Sequence, residues 1–156
     1  MNDSVACYSK MILSNDLLFC EVDSMLSEGH TVTLPVKGRS MWPFIAEGRD
    51  KVVLQKTEVT QIGDVVLARL AGGAYVLHRV YNMANGGIIL MGDGNICRME
   101  RCRQEDISGK VVKIIRNGMY VDCSSRGERY KVWIWMFLRP VRRYVLAMCR
   151  MVKNGR

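Results

Sequence analysis

Ser40 lies in the stretch VKGRSMWPFIAEGRD, Val36 to Asp50, between a bend at Gly38 and a proline at position 43. A hydroxyl in that setting has two readings. Gly, Ser and Pro are turn residues, so the stretch can simply reverse the chain. It can also present Ser40 Oγ as a nucleophile, which requires a base to take its proton and usually a third group to orient that base. The chain has two histidines, His30 and His78. His30 sits in a Gly-His-Thr turn and reads as a solvent residue. His78 falls in AYVLHRV, where strand alternation puts it on one face with Val76 and Val80. It is either a base at a cleft or a core or rim histidine. Asp93, in MGDGN, is bracketed by glycines and taken alone is a turn aspartate. Six cysteines (Cys7, Cys20, Cys97, Cys102, Cys123, Cys149) form no Cys-x-x-Cys pair. With two histidines they give no zinc pattern, so neither metal nor other cofactor is expected.

The elements that must hold these residues are legible from periodicity. NDLLFCEVDSMLSE, residues 15 to 28, places Leu18, Val22, Met25 and Leu26 on one side and predicts an amphipathic helix ended at Gly29. From residue 31 the period becomes two. TVTLPV, DKVVL, DVVLARL, AYVLHRV, GIILM and ISGKVVKII are β-rich runs, and Asn117-Gly118 predicts a tight turn into MYVDC. The tail KVWIWMFLRPVRRYVLAMCRMVK returns to helical spacing, with Ile134, Leu138, Val141, Val145, Met148 and Val152 in one stripe and Pro140 as a kink or first-turn residue. The expected fold is therefore mainly β, a small antiparallel domain with a helix at each end. Its segments are 1–30 (helical), 31–125 (β-rich) and 126–156 (basic amphipathic helix).

Length fits one domain with a real apolar core, and an apolar share of 49% with 24% charged residues excludes a disordered chain. The net charge of +8 is unevenly placed. From Arg126 onward stand nine Lys or Arg and one acid, whereas the first 125 residues carry 14 of each sign. A neutral body argues against nucleic-acid binding, and the basic tail argues for docking. No basic leader precedes an unbroken apolar core, and no apolar run is long enough to span a bilayer. The expected location is cytoplasmic with reduced thiols, or peripheral to the inner face of the membrane through the tail.

One ordered series of boxes carries more than any single residue. Gly38-Arg39-Ser40-Met41-Trp42-Pro43, Gly48-Arg49-Asp50, Gly63-Asp64-Val65-Val66, His78-Arg79-Val80, Gly92-Asp93-Gly94-Asn95 and Gly109-Lys110-Val111-Val112 follow one another. The series, spanning about residues 31 to 115, resembles the signal peptidase I and LexA type of serine peptidase. The residue before Arg-Val is histidine, as in the endoplasmic-reticulum type of signal peptidase, where most of the family has lysine. The resemblance implies Ser40 as nucleophile, His78 as general base, Asp93 as the group orienting the imidazole, and the Ser40 backbone N–H as oxyanion donor. Lys37, Lys51 and Lys56 fall outside the base position, which disfavours a Ser-Lys dyad. Gly38 stands where bacterial signal peptidases often carry a serine hydroxyl, so backbone must serve alone, and Arg39 departs from the small or acidic residue common there.

By the same resemblance the substrate is a peptide or protein lying extended between residues 31–37 and 74–78, with Val36, Gly38, Met41 and Val76 as binding residues. The implied activity is that of an endopeptidase removing a leader or signal-like segment. Two other functions share these features. One is a non-catalytic peptide-binding module of the same fold. The other is a LexA-like self-cleaving regulator, for which the roughly thirty residues before the β-body leave little room.

Overall fold

The computed structural model describes residues 15–154, with backbone alone at 15, 16, 149, 150, 153 and 154. Cys7 and the first 14 residues of segment 1–30 lie outside the described residues, as does the side chain of Cys149. Helix α1 (Asn15–Ser27) buries Val22 and Leu26, with Phe19 packed beside them, while Met25 stays on its exposed side. It stops where the sequence predicts. Gly29 takes φ +88°, its N–H donates to Leu26 O at 3.1 Å, and His30 N–H donates to Met25 O at 3.0 Å. This left-handed closure satisfies the last carbonyls, and glycine adopts it without strain.

Eight strands follow: β1 (Val32–Pro35), β2 (Asp50–Gln55), β3 (Val65–Arg69), β4 (Tyr75–Ala84), β5 (Gly87–Met91), β6 (Met99–Cys102), β7 (Ile107–Arg116) and β8 (Met119–Asp122). All pairings are antiparallel, in the order β1-β2-β7-β3-β4-β5-β6, and β8 pairs with the second half of β7. Asn117 and Gly118 both take positive φ at the expected hairpin turn. The mainly β body between helices thus forms as the sequence predicts. Sequence periodicity missed one strand, β6, because its residues Met-Glu-Arg-Cys show an acid where an apolar residue would have marked the inward face.

Alternation divides the interior in two. Val22 and Leu26 of α1 pack with Val32, Val36, Met41, Ile45, Val52 and Leu54, joined from β4 by Tyr75 and Leu77. Val66, Ala68, Val80, Ile88, Leu90 and Ile107 form a second cluster, with Val76 against it. Successive residues of β4 therefore serve opposite faces, which is what period two requires.

The tail is two helices rather than one: α2 (Arg126–Phe137), a 3₁₀ turn at Arg139–Val141 containing Pro140, and α3 (Arg142–Asn154). The turn breaks the helical phase, so the expected continuous stripe does not pack on the body. Ile134, Val141, Met148 and Val152 are exposed, and among the described side chains the buried positions are Trp135, Arg142 and Leu146. No described helix is long and apolar enough to cross a membrane.

Candidate active site

The turn carrying Ser40 runs from Gly38, at φ +85°, to Ile45, whose N–H donates to Met41 O at 2.9 Å. It is seated on the loop after β5. Gly94 N–H donates to Ser40 O at 2.8 Å. A Cβ at Gly92 would lie 2.4 Å from Ser40 O, and one at Gly94 would lie 2.7 Å from Arg39 O. Both distances are impossible for a real side chain, so two backbones meet here only because neither residue has one. The glycines around Asp93 exist for this contact.

His78 stands at the same loop. Arg79 pairs across β4–β5 with Met91, the last residue before Gly92, so His78 lies level with the start of the Gly92–Gly94 segment. Its ring is 6% exposed, and Nδ1 is 2.9 Å from Glu100 Oε2. Glu100 arrives from β6, where it pairs with Leu90, which in turn pairs with Val80, two residues beyond His78 on the same face. Arg98 Nε holds the other carboxylate oxygen at 3.0 Å. A carboxylate on Nδ1 fixes that nitrogen as the protonated one and leaves the lone pair on Nε2, the tautomer a general base needs.

Asp93 does not orient the imidazole. Its carboxylate is occupied by Arg79, with Nε at 2.8 Å and Nη2 at 2.6 Å, and Arg79 Nη1 donates to Gly63 O at 2.7 Å. Alternation explains the correction: Arg79 points to the sheet face opposite His78, and Asp93 follows it inward, at 1% exposure. A bidentate fork between two buried charges is a clamp on the β5–β6 loop. The carboxylate that reaches His78 is Glu100. Only a short pattern could have found it: inward Glu100 and Cys102 against outward Met99 and Arg101.

Of the expected binding residues, Val36 and Met41 turn their side chains into the first core cluster, so only their backbone can face a ligand. Val76 leans on the second cluster and is half-buried, while Gly38 is exposed. His30 is exposed, its Nε2 3.7 Å from Glu28. Among the stretches of strand with an unpaired edge, two border the Ser40 region in sequence and register. β1 pairs with β2 alone, and Tyr75 to His78 pair with β3 but precede the first β5 partner, Arg79↔Met91. Leu34 of β1 and Tyr75 and Leu77 of β4 rest on one core cluster.

The glycine-aspartate box at Asp50 is structural. Asp50 accepts from Ala46 N–H at 2.8 Å, Arg116 Nε at 2.8 Å and Arg49 Nη2 at 2.8 Å. Burial alone would raise its pKa, but the hydrogen bonds from Arg116, Arg49 and Ala46 prevail and hold it at about 2. Asp64 likewise holds its turn, accepting from Gln61 N–H at 2.9 Å. Phe44, four residues past Ser40, is gripped from several elements. Its carbonyl accepts from Arg116 at 2.6 Å and Arg49 at 3.1 Å, and its ring meets Arg79 at 5.3 Å and the edge of Trp135 at 5.7 Å.

A family model described as Peptidase S24-like matches residues 3–112, more than half of the chain. The chain belongs to the Peptidase S24-like family. The S24-like span contains Ser40, His78, Asp93 and Glu100 and ends before α2. Membership supports a serine peptidase or a LexA-like self-cleaving function. Comparison with curated proteins returned no match.

Proposed function

We propose that this S24-like chain is a serine endopeptidase that removes a leader or signal-like segment from a peptide, with Ser40 as nucleophile, His78 as general base and Glu100 as the residue that positions the base. The observation that carries the reading is the buried His78–Glu100 pair at 2.9 Å, standing beside the loop on which the Ser40 turn is seated. In this mechanism Ser40 Oγ attacks the scissile carbonyl while His78 Nε2 takes its proton. The resulting imidazolium faces the Glu100 carboxylate, which stabilises charge that develops only in the transition state. The Ser40 N–H serves the oxyanion, since Gly38 supplies no side-chain donor. The imidazolium then protonates the leaving amine, and water, activated by the same base, releases the acyl group. An extended substrate adds to the open edges of β1 and of Tyr75–His78 by main-chain pairing, which places its affinity in the backbone.

The test is labelling with a fluorophosphonate together with cleavage of leader-like fluorogenic peptides and the intact mass of the enzyme over time. Ser40→Ala and His78→Ala should each abolish both labelling and cleavage, and the double variant should be no worse than either, because the two act as one unit. Absence of labelling in the folded wild type would make the chain a binding module. Accumulation of a self-cleaved fragment, with no cleavage of added peptide, would make it a LexA-like self-cleaving protein.

A further inference from the structure

The two C-terminal helices bury one side and leave another uncovered. Among the described side chains Trp135, Arg142 and Leu146 are the buried positions, and Val132, Arg129 and Arg139 also reach the body at Gly63, Asp64 and Tyr81. On α2, Tyr130, Trp133 and Phe137 recur at i, i+3 and i+7 and stack ring on ring, with centroids 6.3 and 6.0 Å apart. On α3, Tyr144, Met148 and Met151 recur at i, i+4 and i+7. All six are between 56% and 74% exposed. The stripes stay largely exposed, with Trp133 and Phe137 also at the rim of a cavity that α2 forms with Phe44, Arg79 and Val111 of the body.

The charge around the stripes indicates their partner. From Arg126 onward the sequence carries nine Lys or Arg against one acid. Among the described residues, Arg126, Arg139 and Arg143 have no carboxylate within salt-bridge distance, and Arg139 and Arg143 lie over the rings of Tyr81 and Tyr144. A second copy of the chain would bring the same positive excess to the contact and be repelled. A bilayer with anionic headgroups complements it, and exposed aromatics flanked by arginine suit the headgroup boundary. Depth is limited by length. Helices of 12 and 13 residues extend about 18–20 Å, short of a hydrocarbon core of about 30 Å.

We infer that α2 and α3 form a docking surface for anionic phospholipid, on which the protein lies with Trp133 and Phe137 in the headgroup boundary. The inference does not depend on Ser40, and its test needs no activity. Full-length protein is sedimented with vesicles of phosphatidylcholine, with and without about one-third phosphatidylglycerol, at about 50 mM and about 500 mM salt. Binding is expected with phosphatidylglycerol at low salt and is lost at high salt, with a blue shift of tryptophan emission. Each arginine near the surface contributes about a fivefold gain in partition, so Arg139→Gln with Arg143→Gln should weaken binding about thirtyfold. Trp133→Ser with Phe137→Ser should weaken it by at least about tenfold. Circular dichroism and the melting temperature verify that each variant is folded. Failure of the wild type to bind at low salt overturns the inference, as does equal binding to pure phosphatidylcholine or undiminished binding by both folded variants. Concentration-dependent dimerisation that both variants abolish, without vesicle binding, would assign the surface to a second copy.

Discussion

Asp93→Asn separates two roles for the same carboxylate. In the structure Asp93 and Arg79 are 1% and 6% exposed and share two hydrogen bonds at 2.8 and 2.6 Å. Asparagine keeps one acceptor for Arg79 Nε but turns an NH₂ toward Nη2, donor against donor, and leaves the guanidinium without its countercharge. Removing one partner of a buried pair costs about 3–5 kcal/mol. With an unfolding entropy of about 2.1 cal/mol/K per residue, 156 residues give roughly 0.33 kcal/mol/K. The melting temperature should therefore fall by roughly 9–15 °C. Calorimetry at neutral pH measures that loss, and turnover well below the transition completes the assay. The folded variant should lose far less turnover than Glu100→Gln does. A melting temperature unchanged within about 2 °C, with turnover collapsed, would refute the clamp and return Asp93 to the imidazole.

Glu100→Gln preserves shape but no longer fixes the tautomer or faces the imidazolium, so kcat should fall by about 10²–10⁴ with KM nearly unchanged, as read from steady-state kinetics. Gly92→Ala should lose probe labelling and also destabilise the fold by at least about 2 kcal/mol in urea titration, since its Cβ would stand 2.4 Å from Ser40 O. Asp50 gives a pH dependence: its folded value of about 2 lies below the ordinary 3.8, so the stability it contributes is full above about pH 4 and is lost as pH falls through about 2. The urea midpoint of the wild type should drop across that window by the equivalent of about 2 kcal/mol, and Asp50→Asn should lack this component.

Local patterns in this chain are strong where one residue type reports one environment. Val22 and Leu26, the Gly29 closure and the Asn117-Gly118 turn were readable because spacing and glycine chemistry fix them without reference to distant residues. Ser40 and His78 could be singled out by position in a series of boxes. Glu100 could not, because its strand shows charge on the inward side, and an inward acid is recognisable only once its histidine is known. Asp93 meets Arg79 rather than the expected His78 for a related reason. Sequence places it near both His78 and Arg79, and which one it meets depends on the face of β4 that the loop crosses. The tail stripe failed differently: three residues of 3₁₀ turn at Pro140 shift the phase, so residues aligned on paper diverge in space.

The grip on Phe44 makes α2 part of the support of the nucleophile turn. Trp135 reaches back to a residue four positions past Ser40, and Arg142 lies over the Trp135 ring at 5.1 Å. The family match stops at residue 112, yet the support of the matched region does not. A shortened protein ending near residue 125 would keep every residue named in the chemistry while losing one wall of the turn that presents Ser40. A drop in labelling by such a fragment would therefore report a slackened turn and say nothing of the docking surface. The contact is also between segments far apart in sequence, whose closure costs chain entropy. The nucleophile turn is thus completed by helices that lie beyond the matched region.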